Sequence, residues 1–132
     1  MMTPEGLATQ EATFARAFAA GDPGLARDLY CPDVVYVSPT VRLYGWPARI
    51  DGVEKTLEFI ALTIARCRDI AYRAVETAIT PAADAAFVRI AFDWTAGARR
   101  LRSTYVVVYR YRDGRIVRQE LYYDPSGALE KL

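Results

Sequence analysis

Two periodicities divide this chain. In three stretches before Asp69 the apolar positions recur every three to four residues, the spacing of one helix face; after Asp69 they alternate with polar positions, as in strands with one buried side. The first helical stretch runs from about Pro4 to Ala20, with Leu7, Phe14 and Phe18 beside Ala8, Ala15 and Ala19. Thr3 can cap its free amides, Pro4 fits the first turn, and Gly21 can supply a left-handed stop. A second, short helix starts at Asp22-Pro23, carries Leu25 and Leu29 four apart, and ends at Cys31-Pro32, because a residue before proline avoids helical geometry. Asp51 and Glu54 resemble a capping box for a third helix over about Gly52 to Arg68, with Val53, Leu57, Ile60, Ile64 and Cys67 on its apolar face.

Val34 to Ser38 reads as a short first strand ended by Pro39, and Thr40 to Ile50 as loop. Beyond Asp69 the alternation predicts four strands, Tyr72 to Ile79, Ala86 to Thr95, Leu101 to Tyr111 and Arg115 to Tyr123. Arg112-Asp113-Gly114 is a hairpin turn, since Asp and Gly tolerate positive φ, and Ala96-Gly97-Ala98 is read as another. Strands joined so closely form an antiparallel meander, with the three helices on one face of it: an α+β fold.

The size of the chain, 132 residues, suits a single domain spanning residues 1–132. Seventeen basic and sixteen acidic residues leave a formal charge of +1, which provides no field for nucleic acid or an anionic membrane. The longest apolar run, residues 105–109, falls far short of the ~20 residues of a bilayer span. The start, Met1-Met2-Thr3-Pro4-Glu5, lacks the basic flank and apolar stretch of a signal peptide, so the expected location is cytoplasmic. Cys31 and Cys67 are too few for a disulfide scaffold and read as reduced, partly buried thiols. The chain has no histidine, which removes the usual general base and the commonest imidazole metal ligand. Neither metal nor organic cofactor is expected, and any catalysis would use carboxylates, tyrosines, arginines or backbone groups.

Phe18-Ala19-Ala20-Gly21-Asp22, Leu29-Tyr30, Asp33-Val34-Val35-Tyr36, Asp113-Gly114-Arg115-Ile116-Val117 and Tyr122-Tyr123-Asp124-Pro125 occur in this order across the chain. Together with the layout of elements, they make it resemble the SnoaL-like branch of the nuclear transport factor 2-like superfamily over nearly its whole length. The resemblance implies a cone, a curled antiparallel sheet closed by three helices from the N-terminal half around a deep pocket. That superfamily includes ketosteroid isomerases, limonene epoxide hydrolases, polyketide cyclases, dehydratases and non-catalytic binding or oligomerisation modules, so fold does not give function.

Matched residue by residue, the catalytic sets implied by the resemblance are incomplete. Against the isomerase pattern, ungapped over the first 39 positions, Phe14 stands in place of the oxyanion-stabilising tyrosine and Ser38 in place of the aspartate base. Across one gap, Val107 replaces the protonated aspartate. The Arg-x-Asp of the epoxide hydrolases occurs only as Arg49-Ile50-Asp51, in the predicted loop, and Leu121 stands where the last strand would carry an aspartate. The cyclase pairing of aspartate with histidine lacks its histidine.

If Ser38 faces inward as the resemblance implies, strand parity brings Tyr36 and Val34 to the same side. Parity also turns Leu101, Ser103, Tyr105, Val107 and Tyr109 inward, and likewise Val117, Gln119, Leu121 and Tyr123. The expected substrate-binding wall is then Phe14, Phe18, Tyr36, Ser38, Tyr105, Val107, Gln119, Leu121 and Tyr123, with Trp46 either over the mouth or anchored at the surface. Arg102, Thr104, Arg110, Arg118 and Glu120 fall on the outer face, read as a solvated surface with ion-pair partners. Burial turns Val88, Ile90, Phe92 and Trp94 inward. A bulge in that strand would instead bring Asp93 into the cavity beside Arg89 as a catalytic candidate, and Glu76 is a second.

Nine tyrosines offer apolar area with a hydroxyl apiece and suit an apolar, oxygen-bearing ligand, though any one of them can simply pack the sheet. Two function classes stay open. One is a cofactor-independent isomerase, hydrolase, dehydratase or cyclase; the other is a non-catalytic ligand-binding or oligomerisation module. A homodimer through the outer sheet face is also expected from the resemblance, with Val106 and Val108 lying there between arginines.

Overall fold

The computed structural model describes residues 1–132. Helix α1 (Pro4–Ala20) starts where Thr3 Oγ1 accepts the Gly6 N–H at 3.0 Å and stops at Gly21, whose φ of 66° lets its N–H reach the carbonyls of Ala17 and Phe18. The second predicted helix is a 3₁₀ segment, Pro23–Leu29, capped by Asp22. Strand β1 (Tyr30–Val37) follows at once, four residues earlier than expected. Pro32 sits within it, in the stretch between Tyr30 and Val35 where the pairing with its neighbour shifts register, so its missing N–H breaks no ladder. The predicted loop after Ser38 contains a second 3₁₀ segment, Pro39–Tyr44, and a short strand, β2 (Arg49–Asp51).

Helix α2 (Val53–Arg66) lacks the capping box. Gly52 precedes it at a φ of 93°, Asp51 pairs with Arg49, and Glu54 is drawn off to Arg27. Three long antiparallel strands and a shorter fourth then form the meander: β3 (Arg68–Ile79), β4 (Ala85–Ala96), β5 (Arg99–Arg112) and β6 (Arg115–Tyr123). Asp113 and Gly114, with φ of 54° and 79°, close the last hairpin as the sequence predicts. The sheet order is β2-β1-β6-β5-β4-β3, with β1 parallel to β6 and every other pair antiparallel. A final short strand, β7 (Glu130–Lys131), pairs with the start of β5.

Two register shifts help curl this sheet. One leaves Val75 unpaired on β3, and the other leaves Val117 unpaired on β6. An extra residue increases twist and bends the strand toward its concave side. The second shift also overturns strand parity at one position: Ile116, fully buried, points into the core, while Val117 is only half-buried. From Gln119 onward the expected parity holds. Both helices lie on the concave face, and a cluster including Leu7, Phe14, Tyr30, Ile60, Val107 and Tyr109 joins them to the sheet. Neither helix is long and apolar enough to cross a membrane.

Candidate functional site

Between α2, β1 and the curled meander lies a cavity of about 350 Å³, at the small end of the range for ligand pockets. Thirteen of its sixteen lining residues are hydrophobic, and none is an aspartate or glutamate. Phe18 and Phe92 meet edge to face at 5.4 Å on one wall, and Tyr105 and Tyr123 lie 4.9 Å apart on another. Phe59 of α2 closes the third side against Tyr36 and Tyr44. Leu43 and Leu129, both exposed, stand at the mouth. A smaller inner chamber of about 30 Å³ shares Tyr36, Tyr105 and Leu121 with this cavity and is bounded also by Phe14, Val107, Tyr72 and Gln119.

Hydroxyls are set into this apolar wall. Ser38 Oγ and Thr40 Oγ1 are 2.8 Å apart and hydrogen-bond to each other, beside the hydroxyls of Tyr36 and Tyr123. Burial pushes Tyr36, Tyr105 and Tyr123 above the usual phenol range, so each stays a neutral donor at physiological pH. The Cys67 thiol on the same cavity is raised by burial too.

Behind the inner chamber is a carboxylate that lines neither chamber. Glu11, on α1 and 5% exposed, accepts the Tyr72 hydroxyl at 2.6 Å on Oε1, and on Oε2 the Tyr109 hydroxyl at 3.1 Å and the Gln10 amide at 3.0 Å. Gln10 in turn accepts from Tyr111 at 2.8 Å. Burial raises the Glu11 pKa while the three donors partly oppose it. Phe14, one helical turn on, contacts the rings of both Tyr72 and Tyr109 at 6.1–6.2 Å and presents its own ring to the chamber. Tyr72 belongs to both regions, its ring on the chamber and its hydroxyl on Glu11.

Of the residues expected on the wall, Phe18, Tyr36, Tyr105, Leu121 and Tyr123 border the main cavity, and Phe14, Val107 and Gln119 border the inner chamber. Ser38, expected on the wall, is buried but borders neither chamber; it lines a separate surface groove together with Tyr123. Trp46 borders neither chamber: its ring rests on Phe59 at 5.8 Å, with the Lys55 ammonium over it. Both carboxylate candidates point away. Strand β4 pairs with β5 without a shift from Ala85 to Ala96, so Asp93 keeps to the outer face and binds Arg102 through two bonds of 2.7 and 3.0 Å. That pairing holds the Asp93 carboxyl below the usual carboxylate range. Glu76 is exposed and pairs with Arg89, because the bulge falls at Val75 on β3 and leaves Glu76 outside. Arg49-Ile50-Asp51 forms the edge strand β2, and its Arg49 and Asp51 side chains are exposed.

Sequence reading passed over Glu11, yet a signal exists. Leu7, Glu11, Phe14 and Phe18 are four, three and four residues apart, so an acidic residue sits in the middle of the apolar stripe of α1. The contributions of Phe59, Thr63 and Cys67 to the cavity were also not foreseen, because they depend on how α2 is rolled against β1.

The family model of the SnoaL-like domain matches residues 11–119. Among solved structures, SalBIII, an epoxide hydrolase/cyclase-like enzyme in pyran ring formation in the polyether salinomycin, is similar with a TM-score of 0.77 at 12% identity, covering 100% of both chains. A protein with a ketosteroid isomerase-like fold from Catenulispora acidiphila, solved with trimethylamine, gives 0.74 at 18% identity over 95% of this chain and 89% of that one. An epoxide hydrolase of Mycobacterium tuberculosis, like limonene epoxide hydrolase, gives 0.68 at 18% identity over 91% and 84%. At such identities the likeness shows the fold alone. No curated protein sequence matches the chain.

Proposed function

The chain belongs to the SnoaL-like domain family, and on that premise we propose that its cavity binds a small, apolar molecule bearing oxygen. The observation that carries this reading is the lining itself: open volume walled by aromatic rings, with neutral hydroxyls of Tyr36, Tyr105 and Tyr123 set among them. Apolar walls supply affinity through burial, at about 25 cal/mol per Å² removed from water, while a few hydroxyls fix orientation. Reactions driven by a carboxylate facing the ligand do not suit this lining, because Asp93 and Glu76 are engaged outside and Glu11 lies behind Phe14. The reading favoured is therefore a binding pocket, with any chemistry confined to hydrogen-bond donation from the tyrosines. A screen of terpenoid, aromatic and polyketide-like compounds by thermal shift, followed by calorimetric titration of the hits, tests it. Binding at one site per chain is expected, and a panel in which no compound binds would overturn it.

A homodimer through the outer sheet face belongs to the same proposal. Phe87 and Tyr122 are exposed there, paired across strands with Val108 and Val106 and flanked by Arg89, Arg110 and Arg118. Light scattering at micromolar concentration is expected to give twice the chain mass of 14.8 kDa, and a monomer mass would remove the claim.

A further inference from the structure

Every side-chain nitrogen or oxygen that is fully shut off from solvent in this molecule has a hydrogen-bond partner. Two side chains more than nine-tenths buried, Tyr105 and Gln119, nevertheless carry polar atoms that bond to no protein group. These atoms are the Tyr105 hydroxyl and the Gln119 amide nitrogen, and both side chains border the inner chamber. Their polar atoms therefore meet void rather than protein. The Gln119 amide is held in place from behind: Tyr30, fully buried, donates to Gln119 Oε1 at 2.6 Å, which leaves Nε2 with its two hydrogens free. Tyr105 is held by the rings of Tyr123 and Phe92, at 4.9 and 6.3 Å.

Buried donors without partners are costly unless something else satisfies them. The chamber of about 30 Å³ has room for a water or for one small polar end of a ligand, and it shares Phe18, Tyr36, Ile60, Tyr105 and Leu121 with the wall of the larger cavity. We propose that the inner chamber is a subsite for a ligand's carbonyl oxygen, which accepts from Tyr105 Oη and Gln119 Nε2 while the hydrocarbon body fills the outer cavity. This rests on the cavity being a ligand site and adds the chemical class of the ligand, a ketone or aldehyde.

The preference for carbonyl over alcohol follows from the donor count. A carbonyl oxygen offers lone pairs to both donors and brings no proton of its own. An alcohol can accept from both as well, but its own proton must then turn to an oxygen already engaged or already donating, Gln119 Oε1 under the Tyr30 hydroxyl or the hydroxyls of Tyr36 and Tyr72, since Val107, Leu121 and Phe14 offer no acceptor. A hydrocarbon leaves both donors unsatisfied, and so would a ligand that carried its oxygen only at the mouth.

The test uses three molecules that share one bicyclic skeleton, 1-tetralone, 1-tetralol and tetralin, titrated against the wild-type chain, Tyr105→Phe and Gln119→Glu. Tyr105→Phe deletes only an unpaired hydroxyl, so its unfolding temperature should match the wild type. Gln119→Glu keeps an acceptor for Tyr30 and, titrated above the pH at which its buried carboxyl ionises, has no hydrogen to donate. The ketone should bind the wild type at least about tenfold more tightly than tetralin, the value of one satisfied donor in a buried site, and more tightly than tetralol by a smaller factor. Each variant should weaken the ketone about five- to tenfold and leave tetralin unchanged. The infrared carbonyl stretch of bound tetralone should be lowered in the wild type and move partway back in Tyr105→Phe, a change that packing alone would not produce. Equal binding of tetralin and tetralone, or a carbonyl stretch and affinity that ignore both variants, would overturn the subsite and leave the cavity reading intact. If none of the three binds while another compound of the panel does, the subsite falls alone; if the whole panel fails as well, the cavity reading falls with it.

Discussion

On the two sides of Phe14, tyrosine hydroxyls meet opposite fates. Behind it, Tyr72, Tyr109 and Tyr111 all donate to Glu11 or Gln10, and the Phe14 ring packs against those of Tyr72 and Tyr109. In front of it, the hydroxyl of Tyr105, itself a buried side chain, donates to nothing in the chain and faces open volume. The same residue type thus serves two ends. Where hydroxyls and carboxylate satisfy each other and no room remains, the group joins α1 to β3 and β5 and acts on stability. Where donors are left over beside a void, the group is available to a ligand. Buried polarity by itself does not mark a site; polarity short of partners does.

The sharpest way to break this contrast is to remove the carboxylate. Glu11→Ala strands three donors in the interior, at about 1–3 kcal/mol each if unrelieved, so a loss of at least about 3 kcal/mol is expected in chemical denaturation. Ligand binding in the outer cavity should persist in whatever fraction stays folded. On the other side of Phe14, Tyr123→Ala should weaken a bound apolar ligand by about 2 kcal/mol, the value of a buried aromatic contact, when titrated by calorimetry.

A pH titration separates the regions next. Because the folded pKa of Glu11 is raised, the native state keeps a proton that the unfolded chain has already released, so this group's contribution to stability falls as pH rises from the ordinary carboxyl range through the raised value. The slope cannot exceed about 1.4 kcal/mol per pH unit for one group. Asp33, Asp93 and Glu120, lowered by their arginine or tyrosine partners, act in the opposite sense and lose their stabilisation as pH falls through their depressed values. The difference between wild type and Glu11→Gln isolates the first effect: the falling limb should flatten in the variant and the acid limb should not.

The smallest and most discriminating comparison deletes one oxygen on each side. Tyr109→Phe removes a donor to Glu11 and should cost about 1–2 kcal/mol, whereas Tyr105→Phe should change stability by less than about 0.5 kcal/mol. Equal costs in thermal unfolding would show that the two hydroxyls are not in different situations.

Most of the elements were legible because their signals are local. The helical stripe of α1, the Thr3 cap, the Gly21 stop, the alternation through β3 to β6 and the Asp113-Gly114 turn each lie within a few residues of chain, and hydrogen bonding at short range enforces them. The same locality explains the inward placement of Phe92, Tyr105, Val107 and Leu121, since alternation survives wherever the ladder runs unbroken. Arrangements that depend on distant partners were not legible. Asp51 and Glu54 match a capping pattern, but Arg49 and Arg27 compete for them and win. Val117 is turned out of line by a bulge, and a bulge at Val75 rather than in β4 decides that Glu76 and Asp93 face outward.

By itself, the sequence determined the two long helices, the four-stranded meander and an apolar interior rich in tyrosine, because period and composition act residue by residue along the chain. Only the tertiary structure decided which of those tyrosines are spent on Glu11 and which are left facing the cavity. That choice depends on the seating of α1 against β3 and β5, where a few ångströms bring Tyr72 and Tyr109 onto one carboxylate and leave Tyr105 and Gln119 over empty space. Hydrogen bonds reach no farther than about 3 Å, so a pattern spread over a hundred residues of chain cannot specify them until the fold has closed that distance.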